Sequence, residues 1–314
     1  MVEAPNVSTM QSEAVPTARS AASLKSRVVE LTRQASTEIT LDDEALLPAL
    51  VALLPAGSSV HVAHTPKASL QQVVQLSRRV QQCGLRACPH IVARRIAHER
   101  DLRSALHELR QIGVDQILLV AGDLPQPLGV FASTLEILDS GATLDAGIRS
   151  IGVAGHPEGN RSIAAQALWQ ALAHKQAFGE RTGTAVHIVS QFSFNANAVY
   201  DWQRELAAHG IRLPVRVGIA GPTSLIKLLQ FAVRCGVGTS VRTAAHSVSA
   251  AGGVSQLATT PEQHLLALAR AAEGGSRQLV APHFFAFGGT LKTVQWLHRL
   301  ADGDFEIGSD NNII

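Results

Sequence analysis

The sequence predicts an α/β fold, a closed (β/α)8 TIM barrel. From about residue 36 onward, a short apolar segment is followed by a turn and then by an amphipathic helical stretch, and this pattern occurs eight times. Continuous runs of Val, Ile and Leu are typical of parallel strands that are buried on both faces. Eight such units in about 265 residues match the size of a barrel. An open doubly wound sheet is the alternative, and the count of eight favours closure.

The strands are predicted where β-branched and aliphatic residues run together between polar or glycine-rich turns. In chain order they cover residues 36–40, 59–64, 87–93, 116–122, 149–155, 184–192, 215–221 and 277–285. The helices are predicted where apolar residues recur at three- and four-residue spacing. They cover residues 43–54, 70–83, 99–112, 132–140, 164–178, 196–209, 224–235, 262–273 and 291–300.

The chain divides into a leader and one large domain. Residues 1–23 are rich in Ser, Thr, Ala and Pro, which predicts a disordered segment without the layout of a signal peptide. Residues 24–314 form the predicted barrel domain. Within it, residues 236–260 are mostly small and polar, and this composition favours a long loop at one rim of the barrel.

Composition argues against several classes of partner. The formal net charge of +2 and the absence of like-charge runs favour neither nucleic acid nor an anionic membrane as a partner. No apolar stretch reaches the length of a membrane span. Three cysteines without metal spacing fit reduced thiols in the cytoplasm. The expected partner is a small molecule. A homo-oligomer is compatible with this sequence, which gives no oligomeric state.

Polar side chains stand at or near the ends of most of the predicted strands, where barrel enzymes build their active sites. An isolated aspartate there is usually a helix cap or turn residue, and an isolated histidine is usually a rim residue. One shared cavity nevertheless explains the set better than many separate roles. The set comprises Glu38, His64, His90, Asp123, His156, Asn160, Gln191 and His283.

Familiar motifs for metals and phosphates do not occur in the sequence. His61 and His64 are three residues apart on the predicted second strand, which would place them on opposite faces. No histidine–carboxylate spacing indicates a metal site. No glycine-rich loop follows a strand as in a dinucleotide fold, and no nucleophile elbow occurs. We therefore expect no metal.

The ordered strand ends resemble those of the methylenetetrahydrofolate reductase family, whose members are flavin-containing barrels. The matching pieces run from "STEIT" through "ACPHI", "GVDQILLVAGDLP" and "IGVAGHPEGN" to "IVSQFSFN" and "VRVGIAGPTSLIKLLQFA". They span about residues 36–235. Single pieces are weak evidence, and their joint occurrence in this order is specific.

The resemblance implies roles for individual residues. Glu38 corresponds to the general acid, and Asp123 to the carboxylate beside the flavin ring. Gln191, Lys227 and Phe231 correspond to residues that contact folate or help to position the nicotinamide cofactor. The positions that correspond to flavin contacts are His64, His90, Ala121, Gly122, Asp123, Phe131, Ala132, His156, Asn160 and Lys175.

The implied activity is hydride transfer between methylenetetrahydrofolate and methyltetrahydrofolate through FAD. The sequence departs from the family at Ala121, where relatives carry arginine, and at Gly288-Gly289, where they often carry Asn-Arg. These departures leave the use of NAD(P)H open. They also leave open the direction of the reaction, which could be that of a methyltetrahydrofolate oxidase. Two other functions remain: a folate- or flavin-binding subunit of a larger complex, and a folate-dependent methyltransferase barrel.

Overall fold

The computed structural model describes residues 18–193, 195–223, 230–231, 260–308 and 312–313. Eight parallel strands form a closed barrel in chain order, and the pairing of β1 with β8 completes the circle. The predicted TIM barrel is therefore confirmed. The strands are β1 Ser36–Ile39, β2 Ser59–Val62, β3 Arg86–Val92, β4 Gln116–Val120, β5 Ser150–Gly155, β6 Ala185–Ser190, β7 Val215–Ala220 and β8 Leu279–Phe285.

The described helices surround the barrel, and most match the predicted ranges within a few residues. They are α1 Ala18–Arg33, α2 Leu47–Leu53, α3 Leu70–Gln82, α4 Glu99–Gln111, α5 Thr134–Asp139, α6 Ala142–Asp145, α7 Ala165–Thr182, α8 Ala196–Ala208, α9 Pro261–Glu273 and α10 Thr290–Asp302. The predicted helix 224–235 lies outside the described residues except for positions 230–231. The predicted loop 236–260 also lies outside them except for Thr260.

Helix α1 takes in residues 18–23, the end of the segment predicted as a disordered leader. The sequence analysis placed no helix there because that stretch is rich in small polar residues. The helix packs against α9 and α10, near the other end of the chain. Its Arg33 donates a hydrogen bond of 3.0 Å to the Ala301 carbonyl, and its Ser23 donates one of 2.7 Å to Glu273. Residues 1–17 lie outside the described part.

The aliphatic side chains of the strands face outward, where they pack against the helices. Ile39, Val60 and Ile117 belong to one large buried cluster with helical residues such as Leu76 and Leu102. This layer buries the apolar faces of the amphipathic helices, and that burial is the main contribution to folding stability.

The inner face of the barrel is unusually polar. Gln116 on β4 donates a hydrogen bond of 3.0 Å to Ser59 on β2, and His283 on β8 is hydrogen-bonded to Ser36 on β1. His61 is also almost completely buried. TIM barrels usually fill this space with Val, Ile and Leu. Here, burial on both faces is confirmed, while much of the inner layer consists of neutral hydrogen-bonding groups.

No helix in the described part of the chain is long and apolar enough to cross a membrane.

Candidate active site

A cavity of about 470 Å³ lies between the carboxyl ends of β4 and β5 and the side of α7. This volume is within the range of small-molecule sites. Six of the residues predicted from the sequence line it, although they are up to 70 positions apart. They are Ala121, Gly122, His156, Asn160, Lys175 and Gln191.

Lys175 is the strongest electrostatic feature of this cavity. Its side chain projects from α7 and is only 7 % exposed, and burial lowers its pKa to about 8. Burial, together with the neighbouring Lys175, lowers the pKa of His156 to about 4. No carboxylate within the described ranges forms an ion pair with Lys175. A buried cation without a counter-charge favours an anionic ligand, so the donor set fits the diphosphate of a dinucleotide.

The backbone around Gly122 brings the β4 end close to β3. Gly122 adopts a φ of +94°, which L side chains rarely adopt, and an added Cβ would lie 2.5 Å from Val92 Cγ1. The Arg94 amide donates a hydrogen bond of 3.0 Å to the Ala121 carbonyl. The Arg94 guanidinium also donates to the carbonyls of Leu124 and Ala132. Glycine and arginine together fix the path of the chain that presents Asp123.

Asp123 lies at the solvent edge of the site and is 71 % exposed. Its carboxylate accepts a hydrogen bond of 3.0 Å from Arg95, whose guanidinium is largely buried. Arg95 also donates to the His64 carbonyl at 3.0 Å. The sequence analysis did not identify Arg95. The available signal was the pair of arginines directly after the third strand, at the barrel end that carries the site.

Glu38 occupies the mouth of the barrel at the end of β1. The strand stops one residue later because Asp43 accepts hydrogen bonds from the amide and hydroxyl of Thr40, both of 2.8 Å. Burial raises the pKa of Glu38 to about 7, and the negative charge of Asp43 adds to this increase. A carboxyl group that is protonated near neutral pH is suited to general acid catalysis.

His90 lies beside Glu38, with 4.0 Å between His90 Nε2 and Glu38 Oε2. Burial lowers the pKa of this histidine to about 3, so its imidazole is neutral. The pair is therefore a protonated acid beside a neutral base, which avoids burying two charges.

The expectation that His61 and His64 point to opposite faces is wrong. It assumed a strand through residue 64, whereas β2 ends at Val62, so strand alternation does not apply to His64. The positive charge that His64 would carry acts on His90, which places both histidines at the same end of the barrel. Burial and the adjacent Arg95 lower the pKa of His64 to about 4.

Gln191 follows β6 at the opposite wall of the cavity. Its backbone N–H donates a hydrogen bond of 2.8 Å to the Gly155 carbonyl, which joins the ends of β5 and β6. Its side-chain oxygen accepts a hydrogen bond of 3.1 Å from the Phe192 amide. The remaining side-chain NH₂ group is the part of Gln191 that can donate to a ligand.

An aromatic cluster, made of Phe192, Phe231, Phe285 and Phe287, covers the β6–β8 side of the barrel mouth. Phe231 stacks on Phe287 with ring centroids 4.5 Å apart. Phe287 has a φ of +45°, a strained conformation for a residue with a Cβ, and such strain is concentrated at functional sites. The sequence analysis found Phe231 and missed Phe287, because backbone strain leaves no mark in the sequence.

Two further predicted residues, Phe131 and Ala132, are not among the residues that line the cavity. Phe131 is buried in the outer apolar cluster, and the Ala132 carbonyl accepts a hydrogen bond from Arg94. Their roles as flavin contacts therefore stay predictions. Lys227 lies outside the described residues. Among the residues that the structure describes, no group of three or more His, Cys, Asp or Glu is placed to hold a metal ion.

Comparison with known proteins assigns this architecture to a family. A family model described as methylenetetrahydrofolate reductase matches residues 49–244, which is more than half of the chain. The match includes the cavity beside α7 and leaves out Glu38 and β8.

Among solved structures, the chain resembles a protein from Clostridium thermocellum that binds two copies of 5-methyl-5,6,7,8-tetrahydrofolic acid. The TM-score is 0.60 at 9 % identity, and the match covers 88 % of this chain and 97 % of that one. A mutant tryptophan synthase α-subunit from Pyrococcus furiosus matches with a TM-score of 0.49 at 13 % identity, covering 86 % and 97 % of the two chains. At 9 % identity, the first likeness shows the barrel fold alone.

Proposed function

Because the chain belongs to the methylenetetrahydrofolate reductase family, we propose that it is a flavin-dependent oxidoreductase that interconverts methylenetetrahydrofolate and methyltetrahydrofolate. The observation that carries this proposal is the cavity beside α7, where Lys175 is buried without an ion-pair partner in the described ranges. FAD carries a diphosphate, and its negative charge complements this ammonium group. Lys175, His156 and Asn160 are the side chains that would hold FAD there.

Bound FAD supplies the hydride chemistry of this reaction. The backbone of Ala121 and Gly122 at the end of β4 forms part of the cavity wall, against which a flat ring would lie. Asp123 and Arg95 form a carboxylate–guanidinium pair at the same rim. Their charges would set how strongly the site favours a negatively charged reduced ring.

Glu38 is the proposed general acid. The imidazolidine ring of methylenetetrahydrofolate opens when its C–N10 bond breaks, and N10 then needs a proton. With a pKa of about 7, a large fraction of Glu38, about half at pH 7, carries that proton. General acid catalysis of this kind accelerates a step by about 10² to 10⁴-fold.

Gln191 and the aromatic cluster are the proposed folate contacts. The Gln191 NH₂ group can donate to an acceptor on the pterin edge, while Phe231, which is only partly buried and stacks on the buried Phe287, offers a flat apolar surface for an aromatic ring. Binding of 5-methyltetrahydrofolate by the Clostridium thermocellum barrel supports a folate site on this architecture.

The test combines cofactor loading with half-reactions. The purified chain should bind FAD, turn yellow, and have its flavin reduced by methyltetrahydrofolate, NADH or NADPH. Comparing these three reductants determines the direction of the reaction and the electron donor. Failure to bind FAD after reconstitution would refute the flavin mechanism.

A matched pair of variants tests the acid. Glu38→Gln should keep FAD and lose at least 100-fold in folate turnover. Asp42→Asn, which changes an exposed carboxylate just after the same strand, should behave as the parent. Unchanged folate turnover in the Glu38→Gln variant would exclude Glu38 as the acid.

A further inference from the structure

A row of polar side chains crosses the inner face of the barrel from β8 to β3. His283 Nδ1 lies 2.9 Å from Ser36 Oγ, and the rings of His283 and His61 are 4.3 Å apart. His61 Nδ1 lies 3.2 Å from His90 Nε2, and this nitrogen in turn lies 4.0 Å from Glu38 Oε2. The row therefore ends at the proposed acid.

The hydrogen bond between His61 and His90 occupies one particular nitrogen. Two N–H groups or two bare lone pairs would repel each other at 3.2 Å, so one proton lies between His61 Nδ1 and His90 Nε2. If His61 is the donor, the lone pair of Nε2 is occupied. If His90 is the donor, Nε2 already carries a proton. In both cases, the His90 nitrogen that faces Glu38 has no N–H group free to donate to the Glu38 carboxylate.

The groups that surround this row leave the imidazoles neutral. His61 faces His283, His187 and Arg216 in addition to His90, and burial together with these basic groups lowers its pKa well below the ordinary value. The basic side chain of His64, together with burial, lowers the pKa of His90 to about 3.

Glu38 faces His90 and, beyond the strand end, Asp43. Among these neighbours, His90 is the side chain closest to the Glu38 carboxyl group. If Nε2 were free, the neutral imidazole could carry its proton there and donate a hydrogen bond to the ionised carboxylate, which would stabilise the charged form of Glu38.

We propose that His61 is a positioning residue for Glu38, because it engages His90 Nε2 and thereby prevents His90 from donating a hydrogen bond that would stabilise the ionised carboxylate. The carboxyl group then keeps its proton until N10 of the folate accepts it. This inference rests on the proposed role of Glu38, and it concerns a residue that has no contact with FAD or folate in that proposal.

The experiment follows the carboxyl group of Glu38 in the purified full chain without flavin or folate. Glutamate is labelled with ¹³C at the side-chain carboxyl, the signal is assigned by its loss in Glu38→Gln, and its chemical shift is titrated. His61→Leu should lower the titration midpoint by about one pH unit, a tenfold loss of proton affinity. His61→Asn places an amide near the position of Nδ1 and should restore the parent midpoint.

Two further variants separate this role from general damage to the barrel interior. His187→Leu removes another buried histidine from the inner face and should leave the midpoint unchanged. In the double variant His61→Leu/His90→Leu, the decrease caused by His61→Leu should vanish, because the hydrogen-bond donor to the carboxylate is gone. An unchanged midpoint in His61→Leu, or an equal decrease in His187→Leu or in the double variant, would overturn the proposal.

A measurement on the parent protein covers the case in which His61→Leu does not fold. A long-range ¹H–¹⁵N spectrum should show His90 as a neutral imidazole, with Nε2 engaged in a hydrogen bond, from pH 5 to pH 8. An imidazolium signal for His90, or an Nε2 without a hydrogen bond, would refute the inference. Because neither measurement needs bound cofactor, failure of FAD binding would count against the proposed function and leave this result intact.

Discussion

Arg95 on the turn after β3 donates a hydrogen bond of 3.0 Å to Asp123 after β4. This pair joins two strand ends that are 28 residues apart and places a guanidinium at the rim of the site. The largely buried Arg95 side chain compensates part of the carboxylate charge.

Removing Arg95 should make the flavin harder to reduce. In Arg95→Ala, the uncompensated Asp123 carboxylate disfavours the negatively charged reduced flavin, so we expect its midpoint potential to fall by about 30 mV. That shift is a tenfold change for a two-electron couple. Asp123→Asn should raise the potential, and the double variant should lie near the parent. Spectroelectrochemical titration of the loaded protein measures all three. Equal potentials in all variants would argue against a flavin ring near this pair.

Replacing Lys175 should weaken FAD binding. Loss of a hydrogen bond to a charged group costs about 1.5–3 kcal/mol, so Lys175→Met should bind FAD about 10 to 100-fold less tightly. Fluorescence titration gives the affinity, and Lys292→Met, which alters an exposed lysine of α10, is the control. Parent affinity should also decline above pH 8, where free Lys175 loses its proton. Equal affinities of the two variants would place the diphosphate elsewhere.

Folate reduction should slow above neutral pH. The acid form of Glu38 has a pKa of about 7, so the protonated fraction falls tenfold for each pH unit above that value. Stopped-flow measurement of flavin reoxidation by methylenetetrahydrofolate should show this decline. Substrate binding also titrates, so the rate is compared at saturating folate. A rate that stays constant from pH 6.5 to pH 9 would contradict the assignment of Glu38.

Gly122→Ala should destabilise the chain more than an equivalent change in open space. Both Gly122 and Gly57 have positive φ, so alanine is strained at either position, by about 1 kcal/mol. Only at Gly122 would the new Cβ meet Val92, whereas nothing lies within 4 Å at Gly57. We expect an additional cost of about 1–3 kcal/mol in the free energy of unfolding, measured in urea. An equal loss of unfolding free energy in Gly122→Ala and Gly57→Ala would show that the end of β4 shifts at no cost to accommodate the new Cβ.

Mild acid should lower the stability of the fold. Burial lowers the pKa of His61, His187 and His283 below the ordinary value of 6.5, so the unfolded chain binds more protons. Stability that is present above pH 6.5 is therefore lost as the pH falls, by up to about 1.4 kcal/mol per pH unit for each histidine. The raised pKa of Glu38 has the opposite effect on the pH dependence of stability. It involves one proton, whereas the histidines involve several.

Urea unfolding at pH 7 and pH 5.5 measures this effect, provided that unfolding is two-state. His187→Leu should reduce the pH slope by about one proton. A parent whose stability is equal at both pH values would show that these histidines are not buried and neutral.

The sequence was sufficient to predict the barrel because each strand is a local apolar run and each helix has a local period. It was insufficient for α1, whose small and polar residues resemble a leader. The cavity residues could be predicted because the carboxyl ends of parallel strands converge, which brings Gly122, His156 and Gln191 together. The contacts of His61 with His90 and of Arg95 with Asp123 depend on strand register and side-chain direction, which no short-range pattern encodes.

The contact of α1 with α9 and α10 has a consequence for synthesis on the ribosome. The two helices that pack against α1 are made only between residues 261 and 302, and β1 likewise waits for β8. Until they have been made, the apolar side of α1, including Val28 and Leu31, has no cover from the C-terminal helices. This apolar face therefore stays exposed on the nascent chain during most of its translation. Exposed apolar surface of this kind is prone to aggregation, and chaperones commonly bind it.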